Sequence, residues 1–149
     1  MEFDLIIKQR IMKFEEYYRK IGIHHQMYLR LDTLFLNACR LFPEEIERSF
    51  ISHDNLWFFS KNHALCITGW TRDNPEMDLM PLNIQWLNIQ PVSYDFNKAT
   101  EKSNLWVSVK FIGEPSDRHH EIKKLIAFHS NCEELVDVVR KYLIPRKVA

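Results

Sequence analysis

The sequence predicts an α+β fold: an N-terminal helical pair, a central antiparallel curved sheet of four to six strands, and a C-terminal helix. Three observations carry this expectation. Apolar residues recur every three or four positions across residues 3–42 and again across 132–143, as helical faces require. Between those stretches they come in short β-branched and aromatic runs or alternate with polar residues, which is the pattern of strands. All four tryptophans, Trp57, Trp70, Trp86 and Trp106, fall in this middle region.

Phe3, Ile7, Ile11, Phe14, Tyr18 and Ile21 share one helical face, with Asp4 near its start and Arg19–Lys20 near its end to match the helix dipole. Gly22 supplies a permissive stop. Met27, Leu31, Leu34, Phe35, Ala38, Leu41 and Phe42 form a second stripe after a short link, so the two helices are expected to pack antiparallel. Tyr17 beside Tyr18 and Phe14 widens the stripe of the first helix. Deep burial explains that width, and so does a homodimer formed through the N-terminal helices; burial is preferred.

Pro43 ends the second helix, and Pro43-Glu44-Glu45 reads as the opening of a short third turn through about Arg48. Asn55–Ser60 and Ala64–Trp70 then read as strands of a hairpin turning at Lys61-Asn62-His63. Thr71–Met80, polar and containing Pro75, reads as an exposed loop. Leu82–Gln90 alternates until Trp86-Leu87, where the phase slips by one and a bulge is expected. Leu105, Val107, Val109 and Phe111 give the clearest strand, with Trp106, Ser108 and Lys110 opposite. Gly113–Asp117 reads as a turn and Lys123–His129 as a further strand. Ser130 and Glu133 fit a capping box for a last helix that buries Cys132, Leu135, Val136, Val139 and Leu143 and stops at Pro145.

A length of 149 residues fits one domain, 1–149, divided into a helical segment (1–49), an antiparallel sheet (50–129) and a closing helix (130–145). In element order alone the chain is similar to a pleckstrin-homology-like barrel, a strongly bent sheet closed by a C-terminal helix. That resemblance implies a closed barrel. A cone-shaped sheet wrapped around the N-terminal helices is the competing expectation.

Lysine plus arginine total 20 and aspartate plus glutamate total 20, for a formal net charge of zero. Nucleic-acid binders take most of their affinity from a basic excess, so nucleic acid is not an expected partner. Cys39, Cys66 and Cys132 are odd in number and lie in apolar patterns, as buried thiols in a reducing cytoplasm would. No run approaches the length of a membrane span, and the start at Met1-Glu2-Phe3-Asp4 does not read as a signal peptide. A soluble cytoplasmic protein is expected.

The histidines, including His24-His25 and His119-His120, lack the spacing that places two ligands on one face, so no metal site is read. With three glycines in all, no phosphate-cradling loop is read, and no cofactor is expected. The adjacent pairs Glu15–Glu16, Glu44–Glu45 and Glu133–Glu134 diverge on their helices rather than converge. A small enzyme pairing Cys66 with His63 or Cys132 with His129 is the weakest of three functional readings, and no catalytic residue is assigned. The leading reading is a non-enzymatic protein-interaction module: an adaptor, a chaperone-like binder or a toxin-neutralising immunity protein. It would use an aromatic sheet surface of Trp106, Trp86 and Trp57 with Lys110. The alternative is a small-molecule or lipid-binding domain with an apolar pocket between sheet and helices. Trp106 is the most telling residue, because its strand's core side is already claimed by its neighbours. Either the N-terminal helices cover it, the preferred reading, or it belongs to a contact surface.

Overall fold

Helical periodicity at the N-terminus becomes α1, Glu2–Lys20, and α2, Tyr28–Leu41, joined through a short 3-10 turn at His25–Met27. The computed structural model describes residues 2–90, 93–95, 100–102, 104–112, 122–128 and 131–147. Gly22 ends α1 at φ +85°, and the Ile23 N–H folds back to the Tyr18 carbonyl at 2.9 Å. A residue bearing a Cβ would be strained there.

Among the described residues nine strands follow: β1 Arg48–Ser52, β2 Asn55–Phe59, β3 His63–Thr68, β4 Glu76–Pro81, β5 Ile84–Gln90, β6 Ser93–Asp95, β7 Thr100–Lys102, β8 Asn104–Phe111 and β9 Lys123–Phe128. They form a four-stranded sheet in the order β1-β2-β3-β4, a three-stranded sheet β5-β8-β9 and a two-stranded ribbon β6-β7. Every pairing is antiparallel. The α+β class holds, with helices at both ends, but the strands divide between separate sheets rather than forming one. Helix α3, Cys132–Val138, continues as a π turn over Val139–Leu143 and a 3-10 turn over Ile144–Arg146. Pro145 has no N–H to extend the ladder, and the chain is extended by Lys147.

The first sheet is a wall between two cores. Leu56, Trp57, Phe58 and Phe59 are consecutive and all fully buried. Successive side chains on a strand point to opposite faces, so such a run needs apolar cover on both sides. On one face Ile51, Leu56, Phe58, Leu65 and Ile67 pack against Phe14, Tyr18, Leu31 and Phe35 of α1 and α2. The Phe14 and Phe35 rings meet edge to face, 4.8 Å between centroids. On the other face Phe50, Trp57, Phe59 and Cys66 pack against Val107, Val109 and Phe111 of β8, Leu125 of β9, and Leu135 and Leu143 after it. The wide apolar stripe of α1 is thereby accounted for, since Tyr17 packs against both cores.

Several local expectations are corrected. Pro43–Glu47 forms no helical turn, and β1 and β4 were not expected as strands. Ser49 and Ser52 gave β1 no clear apolar alternation, although both are buried. Glu76, Asp78 and Pro81 make β4 look like a loop, and they suit an edge strand. Leu41 and Val136, expected inside, are exposed. The expected bulge is present between Ile84 and Trp86, one step earlier than the phase slip indicated. Ser130, the expected cap of the last helix, lies outside the described residues, as do His129 and the turn at 113–117.

The outer edge of β1 is closed by side chains. The Ile51 N–H donates to the Tyr17 hydroxyl at 2.8 Å, the Tyr17 hydroxyl donates to Asn131 Oδ1 at 2.8 Å, and Asn131 Nδ2 donates to the Ile51 carbonyl at 2.7 Å. Both backbone groups of Ile51 are paired without a further strand, and α1, β1 and α3 are tied at one point. Asn131 stands at the N-cap of α3 but makes no side-chain capping bond; its amide is committed to this node. Beside it Ser52 Oγ accepts the Ile126 N–H at 2.7 Å, joining β1 to β9. Burial pushes the Tyr17 hydroxyl far above its ordinary pKa, so it stays a neutral donor. Tyr17→Phe leaves the Ile51 N–H and Asn131 Oδ1 unpaired at the same time. It is expected to lower unfolding stability by about 2–3 kcal/mol in urea titration, with no change in far-ultraviolet circular dichroism.

Candidate functional site

The second sheet differs from the first in having one buried face and one open face. Along β8, Leu105, Val107, Val109 and Phe111 are buried, while Trp106, Ser108 and Lys110 alternate to the other side. On β9, Leu125 and Ala127 are buried and Lys124, Ile126 and Phe128 turn outward. On β5 the bulge reverses the phase: Ile84 is fully buried and Trp86 is 43% exposed.

Register assembles these residues into rows. Trp86 lies opposite Lys110, and Asn88 opposite Ser108, which faces Lys124 on its other side. Gln90 lies opposite Trp106, which faces Ile126, and Asn104 lies opposite Phe128. Trp106 is 43% exposed and Phe128 47%; their rings meet edge to face at 6.5 Å. The outward residues of the three strands are therefore Trp86, Asn88, Gln90, Trp106, Ser108, Lys110, Lys124, Ile126 and Phe128. Among these described residues there are two lysines and no acid. Aromatic surface and positive charge share one face.

Of the residues singled out from sequence, the fold brings Trp86, Trp106 and Lys110 together and excludes Trp57. Trp57 is fully buried, stacked on Phe59 at 5.8 Å and Phe111 at 6.2 Å, and it presents no surface to a partner. The preferred cover for Trp106 is also corrected. Helices α1 and α2 lie on the first sheet, where their apolar stripes meet Leu56, Phe58 and Leu65. Phe128, Ile126 and Lys124 were missed. Their alternation against Leu125 and Ala127 was the available signal, but only the register shows that Phe128 stands diagonally beside Trp106.

The chain matches no family model, no curated protein and no solved structure. No helix among the described residues is long and apolar enough to cross a membrane. Among the described residues, no group of three or more His, Cys, Asp or Glu side chains is placed to hold a metal ion.

Several polar groups outside this face are engaged within the fold. Cys66 faces the inter-sheet core, where burial pushes its thiol up to about 11 and keeps it protonated at neutral pH. Burial likewise raises Cys39 and Cys132. His63 lies three residues from Cys66 on the same strand, so the two point to opposite faces. His63 Nδ1 instead meets Glu44 Oε1 at 2.9 Å. Asp32 on α2 is pushed up to about 7 by burial and by the neighbouring Glu15 of α1, with which it shares a hydrogen bond. A polar cleft of about 230 Å³ between α1, β1 and Glu134 is lined by cations and carboxylates, among them Lys20 and Glu134, paired at 2.8 Å. An apolar hollow of about 360 Å³ lies among Ile6, Ile7, Phe35, Cys39, Phe42 and Ile46, with Arg10 and Glu45 also on its lining and paired at 2.7 Å.

Glu44 holds the β2–β3 turn. It accepts from Ser60 Oγ at 2.6 Å, from the Asn62 N–H at 2.6 Å and from Asn62 Nδ2 at 3.1 Å. The Ser60 hydroxyl, with His63 and Asn62, outweighs partial burial and holds the carboxyl down at about 2, against an ordinary 4.5. A carboxyl lowered on folding contributes stability in full above its unfolded pKa, and that contribution is lost as pH falls through the folded value. Glu44→Gln is expected to cost about 1–2 kcal/mol at pH 7. In urea titrations at a series of pH values, the gap from wild type should narrow below pH 4.5 and close near pH 2.

Proposed function

We propose that the protein is a non-enzymatic interaction module, and that the open face of the second sheet docks an acidic, partly apolar segment of another protein. One observation carries the reading: Trp86, Trp106, Phe128 and Ile126 share a face with Lys110 and Lys124, and no described carboxylate lies among them. Aromatic side chains supply large contact area at low entropic cost. Lysines at one end of the patch would steer a partner of opposite sign and fix its direction. An adaptor, a chaperone-like binder and an immunity protein that neutralises a toxin all fit such a surface.

The apolar hollow around Phe35 and Cys39 supports a second reading, a small apolar ligand held between α1, α2 and the loop after α2. The expected place for a pocket, between sheet and helices, is instead packed with Phe14, Phe35, Phe58 and Leu31. The hollow is also lined by the paired Arg10 and Glu45, so the protein-binding reading is preferred.

Quantitative capture from nuclease-treated lysate tests the proposal, comparing wild type with the pairs Trp86→Ala/Trp106→Ala and Lys110→Glu/Lys124→Glu. The expected result is a stoichiometric protein held by wild type and lost by at least tenfold in both variants, with binding that weakens as salt is raised. A recovered set unchanged by either pair would overturn the assignment of this face. Capture abolished by the nuclease would reassign the face to nucleic acid.

A further inference from the structure

Open sheet edges are normally guarded, and among the described residues three of the four edges of the two larger sheets are guarded. The edge of the first sheet at β1 is closed by Tyr17 and Asn131. Its other edge, β4, carries Glu76, Asp78 and Pro81, the charges and proline that discourage pairing with another chain. In the second sheet β9 is tied to Ser52 and packs against α3. Strand β5 is different. Its seven residues, Ile84-Gln85-Trp86-Leu87-Asn88-Ile89-Gln90, contain no charged side chain and no proline, in a chain that is 27% charged. Among the described residues, its side away from β8 meets one isolated bridge, Ile84 with Lys147. From Gln85 to Gln90 every residue except Leu87 is exposed. Among the described residues, no backbone group of this stretch bonds to anything beyond β8.

We infer that β5 is a pairing edge for a second copy of this chain, and that two three-stranded sheets join there into one of six strands. Antiparallel backbone pairing is self-complementary: a two-fold axis placed at Asn88 sets Asn88 against its own mate, Leu87 against Ile89 and Trp86 against Gln90 of the other copy. In this register opposed residues share a face, so the two open faces become one continuous surface. Two-fold pairing sets residues close to the axis against their own copies, and a charge there would meet its like. Neutrality along β5 is what a self-paired strand requires, whereas a strand designed to recruit a charged partner segment would gain from a charge. Asn and Gln side chains along the junction can hydrogen-bond across it. The inference is independent of what the open face binds.

Equilibrium sedimentation across a concentration series tests it. Wild type is expected to reach twice its 18.0 kDa chain mass. Asn88→Lys or Asn88→Glu, each of which sets like charges against each other at the axis, should raise the dissociation constant by about tenfold or more, with unchanged circular dichroism. Leu79→Lys on β4 and Trp106→Ala on the open face should leave the dimer intact. In hydrogen exchange, amides within Gln85–Gln90 should slow as wild type is concentrated and should not in Asn88→Lys. A mass of 18.0 kDa at every concentration, or a dimer that survives both charged substitutions of Asn88, would overturn the inference. Neither result would bear on capture of an acidic partner by the face, so the two proposals fail separately.

Discussion

Because strands β1 to β3 of the first sheet are buried on both faces, each residue from Leu56 to Phe59 must find an apolar partner on one side or the other. That requirement organises the molecule. The helices must carry apolar stripes to cover one face, and the second sheet and the last helix must cover the other. Burying a Leu, Trp or Phe side chain contributes roughly 1.5–3 kcal/mol, and the wall places such residues at the centre of both cores. Its exposed backbone edge is the remaining cost. Tyr17 and Asn131 meet it at Ile51, each supplying a group that a neighbouring strand would otherwise provide.

A sheet used as a wall cannot also be a surface, and this separates the roles of the two sheets. Trp57 and Trp106 are both strand tryptophans with aromatic neighbours. One is sealed against Phe59 and Phe111, and the other stands beside Phe128 on an open face. The groups that resemble chemistry are likewise absorbed by packing. Cys66 lies in the wall, His63 and Glu44 lock a turn, and Tyr17 is held neutral at the point where three elements meet. On the second sheet, the described outward features are aromatic area, two lysines and an uncharged strand edge.

Both helices of the N-terminal pair and strand β8 were legible in the sequence because each has one buried side, and one-sided burial writes a period of 3.6 or 2 into the residues. Strands β2 and β3 were legible as apolar runs, but a run buried on both faces has no phase. Nothing in Leu56-Trp57-Phe58-Phe59 says which residues look toward the helices and which toward the second sheet. Strand β1 was hidden by its buried serines and by Pro43-Glu44-Glu45, which imitates a helix start while Glu44 is spent on the β2–β3 turn. The open face was half legible. Alternation pointed Trp106, Ser108 and Lys110 away from the core, but which sheet the helices cover is a tertiary fact that no local pattern encodes. Phe128 joins the face only through register, and register depends on pairing between distant segments.

Native-state hydrogen exchange tests most directly whether the first sheet is the shared wall on which both layers depend. Amides of β2 and β3, of α1 and α2, and of β8 should exchange with the same free energy as global unfolding, because neither layer can open without stripping one face of the wall. Val107→Ala, which touches only the inter-sheet core, should lower protection in α1 and α2 by the same amount as in β8. Exchange of the α1–α2 amides at a distinctly lower free energy, unaffected by Val107→Ala while the sheets lose protection, would contradict the account.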